Sequence, residues 1–125
     1  MTEFQKMMKV SKKRNETKDC AVKAVAAVSN LSYDYIHQVF QECGRKHRKG
    51  TPFRITREVL KILNIWADPH QFKAKTITAL GRELPAKGRF LVRTSGHILA
   101  AVDGKVIDWT EGRRHRIQQV YKVSF

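Results

Sequence analysis

The sequence predicts an α+β domain, helical in its first half and strand-rich at its end, on three observations. The run CAVKAVAAVSN, beginning at Cys20, is apolar on nearly every face and marks a buried central helix. Tyr33, Ile36, Val39, Phe40 and Cys43 recur at helical spacing and give an amphipathic second helix. After Pro85 and Gly88, four short runs alternate or stay apolar with turn signals between them, as the strands of an antiparallel sheet do.

Each element can be justified in chain order. Residues 1 to 18 carry Lys6, Lys9, Lys12, Lys13, Arg14 and Lys18 with few core-forming residues, so a partly ordered basic arm is expected, with residues 19 to 125 as one packed domain. Asp19 is a good N-cap for the buried helix, and Asn30 ends it. Ser32 caps the second helix and Gly44 terminates it. The basic loop RKHRKGTP follows from Arg45, after which Thr56 is expected to cap a third helix carrying Val59, Leu60, Ile62 and Leu63. A short strand is predicted near Asn64 to Ala67 and a short helix near Thr78 to Leu84. The closing strands are Phe90 to Thr94, His97 to Val102, Lys105 to Thr110 and Ile117 to Val123. There is no internal repeat and no low-complexity tract.

Composition narrows the function classes. The chain has 125 residues, 42% of them hydrophobic, which suits one globular domain that needs no metal or disulfide to bury a core. No apolar run approaches the roughly 20 residues that span a bilayer, so no membrane partner is expected. The basic N-terminus lacks an apolar signal segment, and a cytoplasmic location follows as the expectation. Cys20 and Cys43 read as two free thiols in a reducing compartment, with no zinc-site spacing, and no metal or other cofactor is expected. Lys and Arg number 25 against 11 Asp and Glu, a net charge of +14. Such a field attracts nucleic acid, acidic protein surfaces or anionic lipid without choosing among them.

Chemistry enters at Cys20 and at one hairpin. Cys20 lies in the first turn of a buried helix, where unpaired N–H groups and the helix dipole favour a thiolate. Taken alone it reads more simply as a small buried hydrophobe. The second signal is SGHILAAVDGKVIDWT, in which Asp103-Gly104 between two apolar runs predicts a type I′ turn. That turn sets Val102 opposite Lys105 and Ala101 opposite Val106. His97 and Asp108 then share a face as diagonal neighbours, about 7 Å apart at Cα. An Asp that accepts from one ring nitrogen fixes the tautomer and leaves the other to take a proton from a nucleophile. The competing reading gives Asp108 an edge salt bridge to an arginine. Ile98, Ala100, Val102, Ile107 and Trp109 fall on the opposite face as the apolar surface of the sheet.

The order of nucleophile on an early helix, histidine at the start of a strand and acid on the next strand resembles the papain-like fold. Asp19-Cys20, Gly96-His97 and Val106-Ile107-Asp108-Trp109 look like the motifs of bacteriocin-leader-processing peptidases, a likeness of layout that covers residues 15 to 110. The stretch LPAKGRFLVRTSGHILAAVDGKVIDWTEGRRHR is also similar to small phage-encoded proteins, which would imply a host cytoplasm. The resemblance implies a cysteine peptidase or isopeptidase, with Cys20 as nucleophile, His97 as base and later acid, and Asp108 as orienting residue. Such enzymes usually carry a Gln six residues before the cysteine for the oxyanion. Arg14 stands there in this chain, and Asn15, five before, is the expected substitute.

The remaining features are expected to be structural. His47 and His115 sit among like charges on basic loops, Cys43 is a core or bystander thiol, and Trp66 and Trp109 are core or rim residues of the sheet. The basic clusters Lys12 to Arg14, Arg45 to Lys49 and Arg113 to Arg116 are candidates to converge around a cleft. The expected partner is then a peptide or protein substrate, acidic if those charges line the cleft. The alternative is a catalytically weak or inactive fold that grips nucleic acid or protein through its basic surface, or a virion protein that packs against nucleic acid.

Overall fold

A computed structural model describes all of residues 1–125. Four helices come first: α1 (Glu3–Lys13), α2 (Cys20–Ser29), α3 (Tyr33–Glu42) and α4 (Phe53–Ile62). Strand β1 (Trp66–His70) and helix α5 (Ile77–Glu83) follow, then β2 (Arg89–Thr94), β3 (His97–Val102), β4 (Lys105–Ile107) and β5 (Gln119–Ser124). The strands form one antiparallel sheet in the order β1-β5-β2-β3-β4. The fold class is therefore α+β. No helix is long and apolar enough to cross a membrane.

Residues 1 to 18 are not an arm. Thr2 and Gln5 form a reciprocal capping box, with Gln5 N donating to Thr2 Oγ1 at 3.1 Å and Thr2 N to Gln5 Oε1 at 2.9 Å. Met7 and Ser11 are buried, with Phe4 and Val10 half-buried beside them. Positions 4, 7, 10 and 11 keep one face of α1 on the core while the lysines stay in water. The dense positive charge masks this short apolar stripe.

Two further boundaries differ from expectation for local reasons. Helix α4 starts at Phe53 behind Pro52, and Thr56 is a buried residue inside it. Pro52 itself stays extended, with ψ 144°, and the helix begins at the next residue. Strand β4 ends at Ile107, because Asp108 leaves the ladder for side-chain partners of its own.

The sheet is buried on both faces. Leu91, Ile98, Ala100 and Val123 join the helical core made by α1 to α4, whereas Phe90, Val92, Leu99, Ala101, Val106 and Val120 form a second cluster with Ile77 and Leu80 of α5. Two-sided burial explains why β2 and β3 read as nearly continuous apolar runs rather than as a clean alternation. The expected single apolar face is half of this arrangement. At the far end, Asp103 and Gly104 take φ values of 49° and 85°, as a type I′ turn requires. Val102 pairs with Lys105, Ala101 with Val106 and Ala100 with Ile107. Asp103 is tied back to β2, its N–H reaching Gly88 O at 2.8 Å and its Oδ1 accepting from Gly88 N at 3.0 Å.

Candidate active site

The segment leading into α2 is pinned by a buried carboxylate that the sequence reading passed over. Glu16 accepts from Arg45 Nη1 at 2.8 Å and Nη2 at 3.1 Å, from Arg48 N at 2.9 Å, and from His37. Burial pushes its carboxyl up, but the Arg45 guanidinium, His37 and the Arg48 N–H outweigh that and hold it far below the usual carboxylate range. The visible signal was a lone acid between Lys12–Asn15 and Lys18, with a basic loop to pair with. Two of the three basic clusters therefore meet here, with Arg45 on Glu16, Arg48 Nη1 on Asn15 O and His47 Nε2 at 2.9 Å from Arg14 O.

Asp19 occupies the N-cap position of α2, but its side chain does not cap the helix. It accepts instead from Ser11 Oγ at 2.7 Å, Tyr33 Oη at 2.6 Å and Lys23 Nζ at 3.0 Å. Burial opposes its ionisation, yet the Tyr33, Ser11 and Lys23 hydrogen bonds prevail and lower its pKa, while the same environment raises that of the Tyr33 phenol. Two consequences follow. Helices α1, α2 and α3 are fastened together at one carboxylate, and the first-turn N–H groups of α2 keep no side-chain cap of their own.

Cys20, half-buried, sits at that helix start. Its thiol lies near the His97 ring and the Ile98 backbone in one cleft. Burial pushes the thiol up and Asp108 adds to this, but the hydrogen bonds and charge of His97, with the Ile98 N–H, win, so the Cys20 pKa lies below its ordinary value. His97 Nε2 stands 2.8 Å from Asp108 Oδ2, which assigns Nε2–H as the donor and leaves Nδ1 as the ring nitrogen for sulfur. Asp108 Oδ2 also accepts from Thr110 Oγ1 at 2.7 Å and Thr110 N at 3.2 Å, and Thr110 is fully buried. Desolvation disfavours the imidazolium, but Asp108 first and Cys20 second overcome it and raise the His97 pKa to about 9. The competing Asp108–arginine bridge does not form, and Asp108 pairs with His97 as expected.

These three residues line a cleft of about 790 Å³ with Lys18, Lys23, Thr51, Phe53, Arg93, Gly96, Trp109 and Gln118 among its walls. The Trp109 ring lies 5.4 Å from that of His97 and is half exposed. Arg113 and His115, from the third basic cluster, pack on the same indole. Trp66 is a rim residue, largely exposed. Cys43 lies away from the cleft, its pKa raised by burial and by Glu58 and Glu42. Asn15 is not brought to the site. Its carbonyl and Oδ1 both accept from Arg48 Nη1, at 2.6 and 2.9 Å, and it does not line the cleft. Arg14 likewise turns away, to Asp34 Oδ1 at 2.6 Å. A residue in the left-handed region, as Asn15 is with φ 55°, redirects the chain between α1 and Cys20 and carries both side chains off. Gln118 is the one side-chain amide lining the cleft, and nothing in its local sequence distinguishes it from Gln119.

The chain matches no known family, no curated protein and no solved structure.

Proposed function

We propose that the protein is a thiol hydrolase of papain-like arrangement, a cysteine peptidase or isopeptidase working by acyl transfer through Cys20. One observation carries the reading: a thiol at the start of a buried helix faces a histidine whose other nitrogen is held by a buried carboxylate, and all three open on one cleft. The Cys20 thiolate attacks the substrate carbonyl carbon, and the carbonyl π pair moves to oxygen. The Cys20 N–H, which has no intrahelical acceptor, and the Gln118 amide are the donors assigned to that oxyanion. Collapse expels the amine, which takes its proton from His97 Nδ1 and leaves a thioester. Water then attacks the thioester, giving a proton to His97, and the acid product departs as the thiol is restored. Asp108 holds the ring and its positive charge throughout.

An epoxysuccinyl thiol-protease probe is expected to label Cys20 in the wild type, to leave Cys20→Ala unlabelled, and to react slowly with His97→Ala at neutral pH. Equal labelling of Cys20→Ala would overturn the assignment. The pH profile of labelling rises as the Cys20 thiolate forms. Turnover is lost again as His97 deprotonates near its raised pKa of about 9, since it then holds no proton for the leaving amine. The charge of +14 supports a second reading, a basic binding module. It requires nucleic-acid binding that weakens steeply with salt and is unchanged in Cys20→Ala.

A further inference from the structure

The charges facing the cleft are unequal in what they have left to give. Asp108 is committed to His97 and Thr110, and Asp19 to Ser11, Tyr33 and Lys23, so neither carboxylate is free and Lys23 is spent as well. Arg93 differs from them. It is half-buried in the cleft wall, and its guanidinium enters no ion pair. What holds it is an aromatic ring: its guanidinium carbon lies 4.0 Å from the centroid of Phe53, and Phe53 is itself stacked on Tyr121 at 5.5 Å. Stacking fixes the plane of a guanidinium while leaving its N–H edge unspent.

Register places this cation on the nucleophile's side of the sheet. Arg93 pairs with Ile98, which lines the cleft together with Cys20. It lies two residues along β2 from Leu91, on the face that packs against the α2 core, so Arg93 and Cys20 share one side of the sheet. Lys18, exposed and two residues before Cys20, adds a second positive charge to the same cleft.

We infer that Arg93 determines specificity by pairing with a carboxylate of the substrate next to the scissile bond, so that the hydrolase acts on amides that carry a negative charge beside the bond to be cut. The inference rests on the thiol chemistry proposed above and names its substrate class. The carboxylate has two possible sources, an Asp or Glu side chain and a free chain terminus, and they share this recognition chemistry. Arg93 takes no part in bond making.

Two small alkylating agents test this without a known substrate. Iodoacetamide and iodoacetate both transfer a carbon to the thiolate with loss of iodide, and they differ in that the second bears a carboxylate. Arg93→Gln is expected to slow alkylation of Cys20 by iodoacetate about tenfold or more, the loss of one charge-assisted pair, while iodoacetamide reacts at the wild-type rate. Arg93→Lys is expected to restore part of the iodoacetate rate, since it keeps the charge but not the planar fork. Protection of Cys20 from iodoacetamide by an N-acetylglutamyl peptide amide, or by a neutral peptide with a free C-terminal carboxylate, identifies the source. Equal effects of Arg93→Gln on both reagents, or none on either, would overturn the inference and leave the thiol chemistry standing. If iodoacetamide alkylates Cys20 no faster than Cys43 in either protein, the thiol chemistry itself fails and the inference goes with it.

Discussion

The molecule contains two histidine–carboxylate hydrogen bonds, the buried His37 with Glu16 and the half-buried His97 with Asp108, and they differ in what surrounds the acid. Glu16 is already neutralised by the two-pronged Arg45 guanidinium, and the far nitrogen of His37, Nδ1, faces Arg14 Nη1 at 3.4 Å. Asp108 meets only neutral donors apart from His97, and the far nitrogen of that ring meets a thiol in an open cleft. One pairing thus braces a loop, whereas the other keeps a proton available for chemistry. A histidine beside an acid carries no function by itself; the remaining partners of each group decide it.

The largest effect is expected from breaking the bracing pair. Arg45→Ala strands the buried Glu16 charge and should cost about 3–5 kcal/mol in urea unfolding. The double variant Glu16→Leu with Arg45→Met should recover most of that loss, because no charge is then left unpaired; if it does not, the network is more than mutual neutralisation.

Asp108→Asn tests the other pair. Losing the orienting carboxylate should lower hydrolysis by about 10²-fold or more. The sign of its stability effect is also fixed. His97 is raised above its ordinary 6.5 to about 9, so its pairing stabilises the wild type fully below 6.5 and is lost as pH rises through about 9. In Asp108→Asn that alkaline loss should shrink, read as a flatter unfolding free energy between those values.

The smallest effect is expected at His37→Gln. An amide donor replaces the ring's bond to Glu16, stability falls by about 1 kcal/mol, and the pH profile of Cys20 alkylation stays where it was. A shift of that profile would mean that the two pairs are coupled through the segment from Glu16 to Cys20, and the contrast between them would collapse.

Much of the hairpin was readable from the chain. Asp103-Gly104 dictates a turn type, the turn dictates register, and register brings His97 and Asp108 together. Local chemistry of this kind is written in adjacent residues. The α2 and α3 boundaries were equally plain, since Asn30, Ser32 and Gly44 are strong end signals. What lay beyond reach depended on long-range partners. The Asp19 side chain ignores its own helix because Ser11 and Tyr33 arrive from α1 and α3, and the Glu16 network needs Arg45, 29 positions away. Asn15 was placed by counting residues from the cysteine, and a count is blind to the left-handed backbone that turns it toward Arg48. Arg93 was unreadable for the same reason, since only tertiary packing sets it on Phe53.

The Asp103-Gly104 turn also bears on how this chain can change over generations. Because strand side chains alternate, one residue gained or lost there would move Asp108 to the other face of the sheet and separate it from His97. Asp103 is tied to Gly88 through both its amide and its carboxylate, so the turn also anchors the start of β2. Descendants of this sequence are therefore freer to vary the composition of the hairpin than its length. The segment between Asp108 and β5 is constrained in another way, by backbone bonds from Thr78 to Arg113, from Ile77 to His115 and from Ile117 to Lys75.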